Sequence, residues 1–463
     1  MLPYTLHMNA STGKARRAAL AARLGNRPAL IAAGLPRRRN YAANLYPYRA
    51  GSHFLYLVGV PLPGAVLHYD GSGWTLYVPD PGADDALWEG PQPSCGDIAA
   101  VAGCPARSLS AFPANGGGRA IATLPAPDLE SCAAQSRLIG RDVQPGQIDD
   151  AVDGPLADAM IALRLVHDDD AIAELRLAAS ATAAAHEAGM RATRPGASEA
   201  EVRAAMEAAL AARGMTCAYP SIVTVHGEVL HNQRADGVLA SGDLLLCDVG
   251  AETAGGWAGD VTRTWPASGK FAPEQRDLYD VVLEAQRRAI AAVAPGVRYR
   301  DIHLLAARAL ASGLVELGVL RGDPAELVAD GVLGLLFPHG VGHLLGLDVH
   351  DMEDLGDRAG YAPGRTRGAG LGLRYLRLDR DLVPGMGVTI EPGLYLCPAI
   401  LDDPELARPA KGRLDRARLG AFASVRGIRI EDDVLVTATG AEVLTAAIPK
   451  TAAAVEAAVG ARG

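Results

Sequence analysis

The chain has 463 residues, 49% of them hydrophobic and 21% charged, with a formal net charge of −9 and six cysteines. That length exceeds one ordinary core and predicts two domains, while an acidic balance without a basic stripe argues against a nucleic-acid partner. The scattered cysteines form no CxxC pair, no apolar run reaches a membrane-spanning length, and the start MLPYTLHMNASTGKARRAAL lacks a signal-peptide core, so a cytoplasmic protein with reduced thiols and no membrane partner is expected.

In chain order, residues 14–33 read as an amphipathic helix followed by an apolar strand, ALIAAG. The aromatic-rich stretch NLYPYRAGSHFLYLVGV is expected to end in a strand. LHYDGSGWTLYVPD reads as a hairpin, two β-rich runs around Asp70-Gly71-Ser72-Gly73. Strands alternating with helices make this first part an α/β domain. The glycine cluster Gly116–Gly118 lacks the Lys-Ser/Thr of a phosphate loop and reads as a plain loop. A domain boundary is expected near 160–168. There RLVHDDDAIAELRLAASATAAAHEAGM opens a helix with three aspartates, and Arg194-Pro195-Gly196 stops it. Ser198 and Glu201 form a capping-box signature for a helix over 199–213, and further helices are expected over about 273–293 and 299–318.

Pro338–Asp351, PHGVGHLLGLDVHD, holds three of the chain's eleven histidines. Glycines separate His339 from His343, so backbone can approach a ligand there. Gly340 stands where a zincin helix needs its glutamate. In HGEVLH the histidines His226 and His231 are five apart, which also rejects that motif. The carboxylates that a metal site needs lie elsewhere. Asp248 ends LLLCD, and Asp260 follows a Gly-rich turn. Glu391 interrupts GVTIEPGLYL before Pro392. In GIRIEDDVLV, Arg429, Glu431 and Asp433 alternate with Ile428 and Ile430, which puts the charges on one strand face. Taken singly, the aspartates fit solvated turn caps, and Arg429 and Glu431 fit the exposed face of an edge strand. Taken together, four carboxylates and one histidine can hold two divalent cations that activate water and polarise a carbonyl. Oxygen-rich ligation with one imidazole suits Mn2+, with Co2+ or Zn2+ as alternatives. The expected chemistry is metal-assisted amide hydrolysis.

LCDVG with AGDVTRTWP, FPHGVGHLLGLDVHD, TIEPGLYL and GIRIEDDVLVT resemble the pita-bread metallopeptidases, in particular their proline-specific branch, the prolidases and aminopeptidase P. YPYRAGSHFLYLVGV and TLYVPDPGADDALWEG resemble that branch's N-terminal domain. The implied fold is an aminopeptidase P-like α/β domain over 1–163, then a pita-bread catalytic domain over 164–463, its curved antiparallel sheet covered by helices. The resemblance implies Asp248, Asp260, His343, Glu391 and Glu431 as metal ligands, with Asp260 and Glu431 bridging. It implies Glu391 as proton acceptor for the water, His350 at the scissile amide and His231 lining the substrate pocket. His339 and Arg429 match supporting positions, and Tyr219 matches an active-site tyrosine. The chain departs from the family's GSGENG before the LH dipeptide, reading TVHGEV, two residues shorter. The turn between Asp248 and Asp260 is one residue longer than usual. No ligand is lost.

The implied substrate is a small peptide with proline at its second position. GLGLRYLRLDRDLVPGM resembles a prolidase insert and places Arg377 where that group has an arginine. A dipeptide's terminal carboxylate lies beside the scissile bond, and a guanidinium can grip it bidentately. On this basis a dipeptidase is the favoured reading, with an aminopeptidase acting on longer peptides as the alternative and a non-catalytic binding module as a third. Relatives of this kind imply a homodimer or homotetramer.

Overall fold

The computed structural model describes residues 8–113 and 120–460. The Gly116–Gly118 cluster lies outside them. The chain divides into two compact units, Met1–Leu165 and Val166–Gly463, so the division falls two residues beyond the boundary expected from sequence.

The N-terminal unit is built on a five-stranded sheet. Its strands are β1 (Ala29–Ala32), β2 (Val66–Tyr69), β3 (Trp74–Val78), β4 (Ala106–Ser108) and β5 (Ala122–Thr123), in the order β4-β3-β2-β1-β5. β2 and β3 form the expected hairpin. Asp70 closes it by accepting the backbone N–H groups of Ser72 at 2.7 Å and Gly73 at 2.9 Å. These bonds, that of Gly73 foremost, pull the Asp70 carboxyl down to about 2. The segment expected to end in a strand is instead the helix Ser52–Val58, with His53 through Val58 all buried. An apolar run buried on every side carries no periodicity to separate helix from strand. Gly59 settles it by closing the last turn in the left-handed region, at φ 73°, with its N–H on Leu55 O.

In the C-terminal unit the helices expected from the aspartate run and the capping box are Asp169–Ala192 and Glu199–Ala211. Asp168 caps the first, and Ser198 with Glu201 caps the second. Two more follow, Pro273–Ala291 and Tyr299–Glu316. The strands are β6 (Thr216–Cys217), β7 (Ile222–Thr224), β8 (Leu244–Asp248), β9 (Ala251–Glu252), β10 (Thr262–Pro266), β11 (Gly387–Ile390), β12 (Gly393–Tyr395), β13 (Gly427–Arg429), β14 (Asp432–Val436) and β15 (Ala441–Val443). Every pairing among them is antiparallel. The first two helices pack on β8 and β10 through Met190, Val202, Met206, Leu210, Leu245 and the fully buried Trp265. Among the described residues no helix is long and apolar enough to cross a membrane.

Two of these registers matter for function. Thr262 pairs with Asp248 across β10 and β8, so Asp260, two residues earlier, belongs to the same sheet face. The ladder of β11 with β14 ends at Ile390 opposite Asp432, and that of β12 with β13 begins at Gly393 opposite Arg429. Glu391 and Glu431 therefore both lie in the gap between two ladders.

An ion pair behind the gap fixes it. Arg263 on β10 and Asp432 on β14 are fully buried and 2.7 Å apart, and Asp432 also accepts from Gln286 and Lys450, each at 2.6 Å. Breaking a buried pair strands a charge. Arg263→Met should therefore cost about 3 kcal/mol or more of stability. Urea unfolding would measure it, and a loss below about 1 kcal/mol would mean that the pair contributes no net anchoring.

Candidate active site

The site grows from the gap between the ladders. The HGVGH segment lies along β11 like an added strand. Thr389 N donates to His343 O at 3.0 Å, Glu391 N donates to Val341 O at 2.8 Å, and Leu344 bridges Val388. This close packing explains the glycines. A Cβ on Gly342, at φ 152°, would meet Thr389 O and Tyr299 Oη, both 2.3 Å away; one on Gly340 would come within 2.7 Å of Leu376 Cα. Their lack of a side chain permits this backbone packing, and both also line the site cavity, where backbone can approach a ligand as expected from sequence.

The result is a cavity of about 340 Å³. Its wall includes Asp248, Asp260, His343, Glu391 and Glu431, with His231, His339, His350, Arg377 and Arg429. Every site residue expected from sequence is on that wall except Tyr219, which reaches it through Asp248, donating from Oη at 2.6 Å. The alternative of an exposed edge strand fails. Arg429 is 4% exposed and Glu431 is 2% exposed, because β10 covers the strand and Glu431 N donates to Thr262 O. His226 stays outside this wall, as the rejected motif requires.

The donor geometry is specific. Asp260, His343 and Glu431 each offer an atom within 4.8 Å of the others, close enough to share one ion. His343 Nε2 is 3.3 Å from Asp260 Oδ2 and 3.6 Å from Glu391 Oε1. Its Nδ1 is 2.9 Å from Leu344 O, so Nδ1–H donates there and Nε2 keeps its lone pair for a cation. Asp248 stands apart from that trio, its oxygens held by Tyr219 and by Arg429 Nη2 at 2.5 Å. Arg429 also donates to Thr262 Oγ1 at 2.7 Å and to Tyr395 Oη at 3.1 Å; Thr262 Oγ1 in turn donates to Glu431 Oε2 at 2.8 Å. Tyr395 Oη lies 2.8 Å from His339 Nε2. Thr262 and Tyr395 were missed in the sequence. Their places in strands close to the candidate ligands, Thr262 two residues after Asp260 and Tyr395 four after Glu391, were the available signal.

The electrostatics call for a cation. Burial raises Glu391 to about 7, with Asp260 and Asp248 adding to the rise against the pull of His343 and Arg429. Burial, then the Asp260, Glu391 and Asp248 charges, hold Glu431 well above its usual range. Burial also raises Asp248, against Arg429. Asp260 goes the other way: burial is the largest single influence and raises it, but in the metal-free site the hydrogen bond and charge of His343, with Tyr219 and His350, together outweigh that. Four largely buried carboxylates in one cleft cannot all ionise against the few positive groups on its wall, Arg429 and Arg377 among them. Two divalent cations would neutralise them, and the oxygen-rich donor set with one imidazole fits. Burial and the neighbouring cations hold His339 at about 3 and His350 at about 2, so both are neutral.

A buried carboxylate cluster with one histidine and a solvated cleft defines a metal-dependent hydrolase site. Comparison with known proteins makes the class definite. The model of metallopeptidase family M24 matches residues 173–438, and that of the aminopeptidase P N-terminal domain matches residues 14–114. The chain belongs to the M24 metallopeptidases, and its C-terminal unit is their pita-bread domain. It is 34% identical to a probable Xaa-Pro aminopeptidase of Paracoccidioides lutzii over 424 residues, covering 87% of this chain and 86% of the relative. Its fold matches aminopeptidase PepP of Pseudomonas aeruginosa with a TM-score of 0.78 at 31% identity, over 98% of this chain and 99% of that one. Aminopeptidase P of E. coli bound to the inhibitor Pro-Leu gives 0.79 at 29% identity, over 98% of each chain.

Replacing His343 or Asp260 with Ala should remove bound metal and abolish hydrolysis; elemental analysis showing unchanged metal content would refute the ligand assignment. The raised Glu391 makes a second prediction. The metal-stripped fold binds this proton more tightly than the unfolded chain, whose value stays near the ordinary 4.5. Its contribution is complete below that pH and is lost as pH rises through about 7. Denaturant unfolding of the metal-stripped protein should show this decline, and Glu391→Gln should flatten it; equal slopes in both proteins would contradict the assignment.

Proposed function

We propose that this metallopeptidase hydrolyses the amide before a proline at position two, releasing the first residue of a peptide as an Xaa-Pro aminopeptidase does. What supports this reading is the full set of five ligand side chains on one cavity wall, in a chain whose relatives carry that name across nearly their whole length. An Xaa-Pro amide lacks an N–H, so recognition falls to the ring and to the groups around it. His231 and His350 flank the cleft and would hold the proline ring and the scissile amide. When bound, two divalent ions, Mn2+ in this proposal, supply a nucleophilic water and polarise the carbonyl. Glu391, on the same cavity wall, would take the water's proton and pass it to the departing proline nitrogen. Arg429 holds Asp248 through a direct ion pair, and through Thr262 it steadies Glu431. A cytoplasmic homodimer or homotetramer is proposed on sequence grounds alone.

The dipeptidase favoured from sequence stands as the second reading. One observation keeps it: Arg377 does reach the cavity wall beside His231 and His350. Against it, the Arg377 guanidinium is already paired with Glu353, and the similar proteins described above are aminopeptidases by name.

Incubating manganese-loaded protein with Xaa-Pro dipeptides and Xaa-Pro-Yaa tripeptides, with products read by mass, separates these readings. Release of the first residue from tripeptides is expected. Cleavage confined to dipeptides would favour the dipeptidase, and inertness toward both would favour a binding module.

A further inference from the structure

Glu353 has no part in the metal site, yet it touches two groups that face substrate. It follows His350 by three residues and opens the short 3-10 turn Glu353–Leu355. The residue before it, Met352, is buried at φ 58°, a left-handed conformation that a non-glycine residue adopts only when its surroundings enforce it. The turn places Glu353 on a smaller neighbouring cavity of about 120 Å³, and His350 and Arg377 line both that cavity and the main one. Its Oε2 lies 2.7 Å from His350 Nδ1, and its Oε1 contacts Arg377 Nη1. The three side chains are 35–39% exposed, so the cluster lies at the mouth of the cleft and not in the core.

We propose that Glu353 sets the preference for peptide length by occupying the Arg377 guanidinium, where the terminal carboxylate of an Xaa-Pro dipeptide would otherwise bind. The proposal rests on the Xaa-Pro peptidase reading and specifies its substrate class. A dipeptide brings its own carboxylate beside the scissile bond. It must displace Glu353 from Arg377 and then lie against the displaced charge. A tripeptide presents a neutral amide at that point and meets no such competition. The same carboxylate holds His350 by its Nδ1–H, which turns Nε2 toward the cleft. Glu353 is thus a positioning residue that acts through Arg377 and His350. Because a half-exposed ion pair contributes little to folding, its removal is expected to leave a folded protein.

The test uses Glu353→Gln, Arg377→Ala and the double variant, with kcat/KM measured on an Xaa-Pro dipeptide and an Xaa-Pro-Yaa tripeptide. In parallel, calorimetry of the metal-loaded protein compares binding of L-proline with L-prolinamide. Charge-assisted pairs are strong enough that freeing Arg377 should raise dipeptide over tripeptide kcat/KM by roughly tenfold in Glu353→Gln. L-proline should tighten by a similar factor while L-prolinamide does not, and neither gain should appear in the double variant. A merely structural role lowers both substrates together and would overturn the proposal. So would a gain that survives removal of Arg377. If the wild type cleaves neither substrate, the peptidase reading falls. The binding arm needs no turnover, and in that case an unchanged preference between L-proline and L-prolinamide would separately reject the role of Glu353.

Discussion

The constraint on which the C-terminal unit depends is the burial of four carboxylates around one cleft. Asp248, Asp260, Glu391 and Glu431 line a common cavity with Arg429 and His343 as the adjacent cationic or cation-binding groups. Like charges in a medium of low dielectric repel strongly, and burial alone penalises each. The raised states of Glu391, Glu431 and Asp248 are the direct expression of that cost. Protonation relieves part of it, as the raised Glu391 shows, and bound cations would relieve it with the acids ionised. The same frustration that destabilises the metal-stripped site would favour cation binding there.

The scaffold holds this arrangement by interrupting its own sheet. Where the β11–β14 ladder stops and the β12–β13 ladder starts, Glu391 and Glu431 are left in the gap. β10 closes one side by accepting the Glu431 N–H, and the HGVGH segment closes the other along β11. Behind the gap, Arg263 and Asp432 lock β10 to β14. The backbones of the candidate ligands are tied down, Glu391 N to Val341 O, Glu431 N to Thr262 O and Asp260 N to the Asp433 carboxylate.

Much of this was legible in the chain. Ligating residue types stood in ordered segments, each at a strand end or turn, and their combination pointed to a dinuclear hydrolase before any coordinates. The capping box at Ser198 and Glu201 and the Asp70 hairpin have local chemistry that decides local structure, and both formed where expected. What stayed hidden was whatever depends on distant neighbours. A period-two pattern is the same for an exposed edge and a covered strand, so the burial of Arg429 and Glu431 needed β10. The mostly apolar, aromatic run SHFLYLV gave no sign that Ser52–Val58 is a helix. The glycines of HGVGH were read as room for a ligand; both do line the cavity, and what the sequence did not show is that they also make room for Thr389 and Leu376. Nothing in the sequence singled out Glu353, an acid three residues past a histidine. Its place on Arg377 depends on a contact 24 residues along the chain.

The measurement that bears most directly on the site is anomalous X-ray diffraction from crystals of the manganese-loaded protein, recorded on either side of the metal's absorption edge. Two anomalous peaks roughly 3.5–4 Å apart, lying between Asp260 and Glu431, are expected for a water-activating metal pair. No peak within that cleft, or metal bound only outside it, would contradict the central claim that these buried carboxylates are there to hold catalytic cations.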